Sequence, residues 1–263
     1  MDLSTTLLVL KKTKLGETDL IITGFSEEGV QVRAVAKGAR RPGSKIGVHL
    51  ELFSIARVLL HEGRNLGIVR EAHTVISNEA CRKDVMHSAG AAVIVELLDR
   101  VSADGDCEAR LFPLAIEALR CLGAAPEEGI KLIAAATVLK IAAQLGYRPS
   151  LRECVLCGSL LEREKAPASA HAGISFSFDQ GGVICEDCLP ELPEFTHQGY
   201  AAIDAQIIEW AEVLITSRFV SIEAYADGEH EAVGHLLLEF AREWARFHLV
   251  KRLKSLDFLL DFR

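Results

Sequence analysis

The first 75 residues alternate short apolar runs with residues that break regular structure. Five runs are rich in Val, Ile, Leu and Phe and have the length of single strands: Thr6–Lys11, Leu20–Phe25, Val30–Lys37, Phe53–Leu60 and Leu66–Glu71. Glycines and charged clusters separate these runs, as is typical of turns between strands. Five short strands favour a small antiparallel barrel, because closure leaves no exposed sheet edge. The count fits an oligonucleotide/oligosaccharide-binding (OB) barrel, and an SH3-like barrel fits it almost as well.

From Ser77 onward the apolar positions recur with the period of an α-helix. One stripe follows a helix face at every third or fourth position: Leu111, Leu114, Ala115, Ala118, Leu119 and Leu122. The segment from Pro126 to Gly146 is apolar nearly all round, which predicts a buried central helix. A later helix is predicted to bury one face formed by Val233, Leu236, Leu237, Phe240, Trp244 and Phe247. The cations Lys251, Arg252 and Lys254 are expected in a last helical turn, where they would face the helix C-terminus.

Charge is unevenly spread along a chain whose formal net charge is −8. Residues 1–75 carry 11 lysines and arginines against 8 aspartates and glutamates, whereas the remaining residues carry 18 against 29. Such a cationic front on an anionic body indicates that the N-terminal part meets a polyanion. The apolar fraction of 49% together with 25% charged residues is typical of a soluble protein with a substantial core.

The stretch from Arg33 to Lys45 holds five cations and no acidic residue: Arg33, Lys37, Arg40, Arg41 and Lys45. Its first half alternates like a strand, and its second half contains Gly38 and Gly43, so a strand is predicted to carry a basic loop to the surface. Arginine forks and lysine ammonium groups suit phosphate oxygens. A solvated loop with scattered charge is the alternative. A nucleotide-binding phosphate loop is excluded, because Ser44 precedes Lys45 and no long apolar helix follows.

Two C-x-x-C pairs form the most specific chemical signal. Cys154 and Cys157 are separated from Cys185 and Cys188 by 27 residues. Four thiolates provide the tetrahedral sulfur shell that Zn²⁺ favours, and a closed shell leaves no position for a catalytic water. A structural zinc ion is therefore predicted. A thioredoxin-like redox role is the alternative, although two pairs without a βαβ pattern point away from it.

The remaining cysteines and histidines carry weaker signals. Cys81, Cys107 and Cys121 are interpreted as packed thiols in helical segments. His171 is a weak substitute ligand, since it lies in the Ala/Ser-rich part of the segment between the cysteine pairs. No H-E-x-x-H, G-x-S-x-G or Asp-rich two-metal pattern is found, which disfavours an enzyme. Seven cysteines, an odd count, with no signal peptide and no membrane-spanning run predict a cytoplasmic location.

Several of these pieces together resemble the bacterial recombination-mediator family RecO. The resemblance rests on five parts of the sequence, which occur in the expected order: Gly16-Glu-Thr-Asp-Leu-Ile21, Ala36-Lys-Gly-Ala-Arg-Arg41, Leu145-Gly-Tyr-Arg-Pro-Ser-Leu151, the cysteine pairs and Arg252-Leu-Lys-Ser-Leu-Asp257. It implies an α+β fold with an N-terminal five-stranded OB-type barrel and an α-helical domain that carries a four-cysteine zinc-binding insert. The expected division is a barrel over 1–76, a helical domain over 77–150 and 191–263, and a zinc-binding module over 151–190.

The resemblance also implies a function without catalysis, near the bacterial nucleoid. The protein is expected to bind single- and double-stranded DNA, to anneal complementary strands, and to work with RecR so that RecA replaces the single-stranded-DNA-binding protein. Lys37, Arg40 and Arg41 match the family's basic motif and Lys45 continues it, while Arg33 shares a strand face with Lys37. The C-terminal tail of the single-stranded-DNA-binding protein is expected to dock on the helical domain, where Lys131 is a candidate contact. A zinc-ribbon scaffold or regulator that binds proteins through its helical domain is the alternative function.

Overall fold

The N-terminal strands close into a barrel. The computed structural model describes residues 2–61, 63, 66–103, 105, 108–161, 173–191, 199–225 and 230–262. The five barrel strands are β1 (Asp2–Leu15), β2 (Asp19–Ser26), β3 (Gln31–Ala36), β4 (Ile55–His61) and β5 (Gly67–Ile76). Their closed order is β1-β2-β3-β5-β4, with β3 parallel to β5 and the other neighbours antiparallel. This is the arrangement of an OB barrel, so the OB prediction is confirmed and the SH3-like alternative is wrong.

Strand β1 is much longer than the predicted run because it pairs with two neighbours in succession. Residues 2–8 pair with β4, and residues 7–15 pair with β2. A register shift between Val9 and Lys11 lets the strand bend from one partner to the other. The alternation in β3 is as predicted, since Ala34 and Ala36 point into the barrel core and Arg33 is exposed.

The outer face of the barrel packs against the helices. The barrel interior is filled by one apolar cluster that includes Leu7, Val9 and Ile22. Leu8, Phe25 and Phe53 belong instead to the cluster that forms the core of the helical part. Both phenylalanines are therefore core residues, and both anchor the barrel to the helices.

Seven α-helices lie in the described residues after the barrel, and the central one is α3. They are α1 (Val85–Val101), α2 (Leu111–Ala124), α3 (Ile130–Gln144), α4 (Ala205–Thr216), α5 (Phe219–Glu223), α6 (Glu231–His248) and α7 (Lys254–Asp261). Every residue of α3 from Ile130 to Leu139 is buried, which confirms the predicted central helix. The helix ends where Gly146 takes a positive φ of 92° and the Tyr147 N–H donates to the Ala142 carbonyl at 2.8 Å.

Two predictions about the C-terminal helices are wrong. Leu236 was predicted to be buried, but it is 47% exposed. The helix α6 approaches α3 at Gly234, and this orientation buries Leu238 and Ala241 and leaves Leu236 at the surface. The three cations expected in a last helical turn lie beyond α6, which ends at His248. Lys254 begins α7, where its backbone N–H donates to the Glu96 carboxylate of α1.

The cysteine-rich segment is anchored in the main core by aromatic rings. Its small sheet has the order β7-β6-β8 and consists of β6 (Ile174–Ser177), β7 (Gly182–Val183) and β8 (Tyr200–Ile203). Phe176 and Phe178 are buried against Trp244 of α6, with ring centroids 6.1 and 6.5 Å from the indole. Strand β8 lies beyond residue 190 yet pairs with β6. The predicted division into three parts stays a prediction.

Candidate nucleic-acid interface and cysteine cluster

The basic loop leaves the barrel directly after β3 and is held by the β1–β2 turn. Gly38 takes a positive φ of 66°, which turns the chain away from the sheet. Its N–H donates to Oδ1 of Asp19 at 2.8 Å, and the same oxygen accepts a bond from the Thr18 hydroxyl at 2.9 Å. The bond from Gly38 is the main reason why the pKa of Asp19 lies below its ordinary value, and the charges of Arg41 and Lys37 lower that pKa further.

Arg40 is fixed by backbone groups of the same turn. One guanidinium nitrogen, Nη1, donates to the carbonyls of Gly16 at 3.1 Å and Glu17 at 2.9 Å, and the Arg40 N–H donates to the Thr18 carbonyl. The two sequence pieces around Gly16 and Arg40 therefore form a single local structure. Because carbonyls rather than carboxylates hold the guanidinium, its positive charge is not neutralised.

Four cations line one depression on the barrel, here called the basic groove. They are Lys12, Lys14, Arg40 and Arg41, and the groove has a volume of about 500 Å³. One carboxylate, that of Glu51, also lines it and pairs with Lys12 at 3.0 Å. The cations exceed the acidic groups at this surface, so the groove suits an anionic chain.

Sequence reasoning missed Lys12 and Lys14. The signal was present in Lys11-Lys12-Thr13-Lys14, a cationic run at the end of the first apolar stretch. These residues reach the groove because β1 continues to Leu15, four residues beyond the predicted strand end at Lys11.

The five predicted phosphate-binding residues do not share one site. Arg40 and Arg41 line the basic groove, whereas Lys45 lines a neighbouring depression and Arg33 and Lys37 are exposed outside both. Within the described part of the chain, no carboxylate oxygen lies within 4.0 Å of a charged nitrogen of any of the five. The positive charge of this surface is therefore available to a ligand.

The Asp19 anchor gives a testable consequence for the loop. We expect Asp19→Ala to raise amide exchange of Gly38 several-fold, because the carboxylate that accepts its N–H is lost. Since the pKa of Asp19 is lowered, the anchor is intact at neutral pH and weakens as the pH falls below the ordinary aspartate pKa of 3.8 and through that lowered value. Hydrogen–deuterium exchange measures this, with Glu17→Ala as a control that removes an equal charge. Equal protection of Gly38 in both variants would contradict the anchor.

The four cysteines of the C-x-x-C pairs come together. The sulfurs of Cys154, Cys157, Cys185 and Cys188 all lie within 4.8 Å of one another, and those of Cys157 and Cys185 are 3.7 Å apart. Four sulfurs at about 2.3 Å from a tetrahedral zinc ion would be separated by ~3.8 Å, so the cluster is close to that size. The four residues can hold a metal ion.

Backbone amides favour the thiolate form at the most buried ligand. Burial alone would raise the pKa of Cys154, but N–H groups of Cys185, Cys157 and Leu156 lower that pKa to about 6. The hydroxyl of Tyr200 is buried and has no hydrogen-bond partner in the described residues. Burial raises the Tyr200 pKa, as does the charge of Cys154, so this hydroxyl stays protonated. The donor set of four thiols with supporting amides fits a metal bound through thiolates.

The other cysteines lie elsewhere. Cys81 and Cys121 are buried, and burial raises the pKa of the Cys81 thiol to about 11. They are packed thiols, as predicted. Cys107 and His171 lie outside the described residues. Lys131 is 8% exposed, and its Nζ donates to the Phe262 carbonyl at 2.9 Å.

An OB barrel with a cationic groove is joined here to a helical body that carries a four-cysteine cluster. Comparison with known sequences identifies the family. The model for "Recombination protein O N terminal" matches residues 1–78, and the model for "Recombination protein O C terminal" matches residues 82–204. The chain belongs to the RecO family of DNA repair proteins. No helix among the described residues has the length and apolar character needed to cross a membrane.

Individual relatives agree with this assignment. The chain is 30% identical to the DNA repair protein RecO of Bifidobacterium adolescentis over 257 residues, which is 96% of each chain. It is 33% identical to that of Cutibacterium acnes over 196 residues, covering 73% of this chain and 76% of the relative. The match to the RecO of Desulfitobacterium hafniense, 34% identical over 181 residues, spans 69% of this chain and 62% of that relative.

Proposed function

We propose that this protein is a non-enzymatic recombination mediator that binds and anneals single-stranded DNA through its barrel. The observation that carries the proposal is the basic groove, where Arg40 is fixed in place by carbonyls and keeps its charge. Phosphate contacts of this kind are tolerant of sequence and sensitive to salt. A protein that holds phosphates leaves the base edges free, and free base edges are what two complementary strands need to pair.

The same proposal includes partners and a cofactor. RecR, RecA and the single-stranded-DNA-binding protein are the expected partners in the bacterial cytoplasm, because the family resemblance implies them. The anionic remainder of the chain would keep DNA on the barrel, since it carries 18 basic against 29 acidic residues. The cysteine cluster is proposed to hold a structural zinc ion, which its sulfur separations support.

A salt titration tests the DNA-binding proposal. We expect Lys37→Ala/Arg40→Ala/Arg41→Ala to weaken binding to all single-stranded sequences alike. If each cation neutralises one phosphate, the slope of log affinity against log salt becomes less steep by about 2, since each contact contributes about 0.7 for single strands. Fluorescence anisotropy with a labelled oligonucleotide at several salt concentrations measures the slope.

A charge-matched control separates local contacts from net charge. Lys83→Ala/Arg100→Ala/Arg218→Ala removes three exposed cations of the helical body, and its slope is expected to equal that of the wild type. Strand annealing on oligonucleotides coated with the single-stranded-DNA-binding protein should fail only in the first triple variant. An unchanged slope in that variant would refute the proposed DNA site.

One observation favours the alternative, a module that binds proteins. Leu156, Leu160 and Leu189 are 44%, 69% and 40% exposed, and they belong to the segments that carry the cysteine pairs. Capture of a partner protein by a chain without DNA affinity would support this function. Replacing Leu156 and Leu160 by serine would then abolish capture.

A further inference from the structure

A second depression adjoins the basic groove on the other side of residues 43–48. It has a volume of about 630 Å³, and its walls share Gly43, Ser44 and Val48 with the basic groove. Its apolar surface comes from Ile46, Val48 and Ala72, and Val48 is 64% exposed. A ligand that occupies one depression therefore reaches the other by crossing a single chain segment.

Two imidazoles form a platform in this depression. The rings of His49 and His73 have centroids 5.8 Å apart and are tilted by 43°. Stacked bases are ~3.4 Å apart, so two rings that hold a base between them must be separated by about 7 Å. The two imidazoles are closer than that, so no base fits between them, and the His73 side chain is 73% exposed to a ring that arrives from outside.

Hydrogen bonds to β5 hold the His49 ring in position. Its Nδ1 accepts a bond from the Thr74 backbone N–H at 3.3 Å and lies 2.9 Å from the Thr74 hydroxyl. In the neutral ring the proton is therefore on Nε2, which has no hydrogen-bond partner in the described part of the chain. Strand β5 pairs with β3 only at Gly67 and Ile68, which leaves the edge near Thr74 open to this histidine.

The charges at the rim suit a nucleotide. Lys45 and Arg70 line the depression, and neither has a carboxylate oxygen within 4.0 Å in the described residues. One acidic residue, Glu71, also lines it, and its carboxylate lies 4.0 Å from Nε2 of His73. Cations over an apolar, ring-lined surface match a base with its attached phosphates, since bases stack on histidine as well as on larger aromatic side chains.

We infer that this depression is a base-stacking subsite for single-stranded DNA whose phosphates follow the basic groove. The inference rests on the proposed function and deepens it, because it predicts a preference for unpaired bases. Residues 1–75 offer only Phe25 and Phe53 as larger aromatic rings, and both are buried, so the histidines replace the usual stacking residues. A paired base stays within its duplex and cannot lie on the platform.

Comparing an oligothymidylate with an abasic chain of equal length tests the inference. At pH 8 the wild type is expected to bind the oligothymidylate about tenfold more tightly, the size of effect known for one stacked base. His49→Ala/His73→Ala should lose this difference and keep the slope of log affinity against log salt. His49→Phe/His73→Phe should retain the difference, because it keeps two rings, and His61→Ala serves as a barrel control.

A measurement on the unaltered protein guards against misfolded variants. 2-Aminopurine within the bound oligonucleotide should lose fluorescence on binding, as it does when it stacks. Equal affinity of the wild type for the abasic and base-containing chains, or no quenching at any position, would overturn the stacking subsite. Either result would leave the phosphate site intact, whereas an unchanged salt slope in the Lys37/Arg40/Arg41 variant would refute that site independently.

Discussion

Replacing Cys154 and Cys185 by serine is expected to abolish metal binding and to release the segments that carry the cysteine pairs. The double change removes two of four sulfurs that lie within 4.8 Å of one another, one from each pair. Structural zinc in small peptides contributes about 10–16 kcal/mol of apparent binding energy, so its loss is expected to have a large effect. The zinc content measured by elemental analysis should fall from about one ion per chain to none.

The local consequence can be mapped by hydrogen exchange. Ser150, Cys154 and Cys188 take part in turns that the metal would fix, so their amides should lose protection. Amides of the barrel strands should keep theirs, because the barrel has its own apolar cluster. Cys81→Ala is the matched control, since it removes a buried thiol outside the cluster. Full zinc content in the double serine variant, or unchanged protection near Cys154, would contradict a structural zinc site.

Much of this architecture follows from the sequence because it is encoded locally. The cysteine pairs each bring two thiols together through a tight turn, and their meeting point was predicted without a structure. The helix α3 is apolar on all sides, which fits only a central position. Five apolar runs separated by breakers were enough to predict the barrel strands.

The features that the sequence did not predict depend on contacts between distant parts of the chain. Lys12 and Lys14 reach the basic groove only because β1 extends along β2 and the loop after β3 folds back against the β1–β2 turn. Leu236 looked buried because periodicity cannot tell which of two adjacent helix faces meets a neighbour. The small residue Gly234 decided that choice, since it lets α6 approach Leu132 of α3 closely.

The anchoring of the cysteine-rich segment was also not foreseen. The sequence between 151 and 190 has few apolar residues for a core of its own, which favours a metal ion as the element that holds this stretch together. Phe176, Phe178 and Val183 instead join the helical core, so apolar packing and the cysteine cluster act on the same segment. The two contributions can be separated, because metal binding depends on the cysteine thiolates whereas apolar packing depends on side chains of α6.

Trp244→Ala is expected to destabilise the protein by about 3–5 kcal/mol, the cost of truncating a buried tryptophan. The indole is 1% exposed, and its Nε1–H donates to the Tyr147 carbonyl at 2.9 Å. It contacts the ring of Phe176 beneath the cysteine-rich sheet and stacks with Phe240 of its own helix. Urea denaturation followed by circular dichroism measures the free energy of unfolding.

Two further variants test whether Trp244 anchors the cysteine-rich segment through its ring and its N–H group. Trp244→Phe keeps a ring but loses the donor to the Tyr147 carbonyl, so it should cost about 1–3 kcal/mol. Trp210→Ala truncates the other tryptophan, which is only half-buried, and should cost less than Trp244→Ala. Because Phe176 of the cysteine-rich sheet packs against the Trp244 ring, Trp244→Ala should also speed zinc release to a chelator. A loss below about 0.5 kcal/mol in Trp244→Ala, which is the range of surface substitutions, would show that the aromatic anchor does not hold this segment.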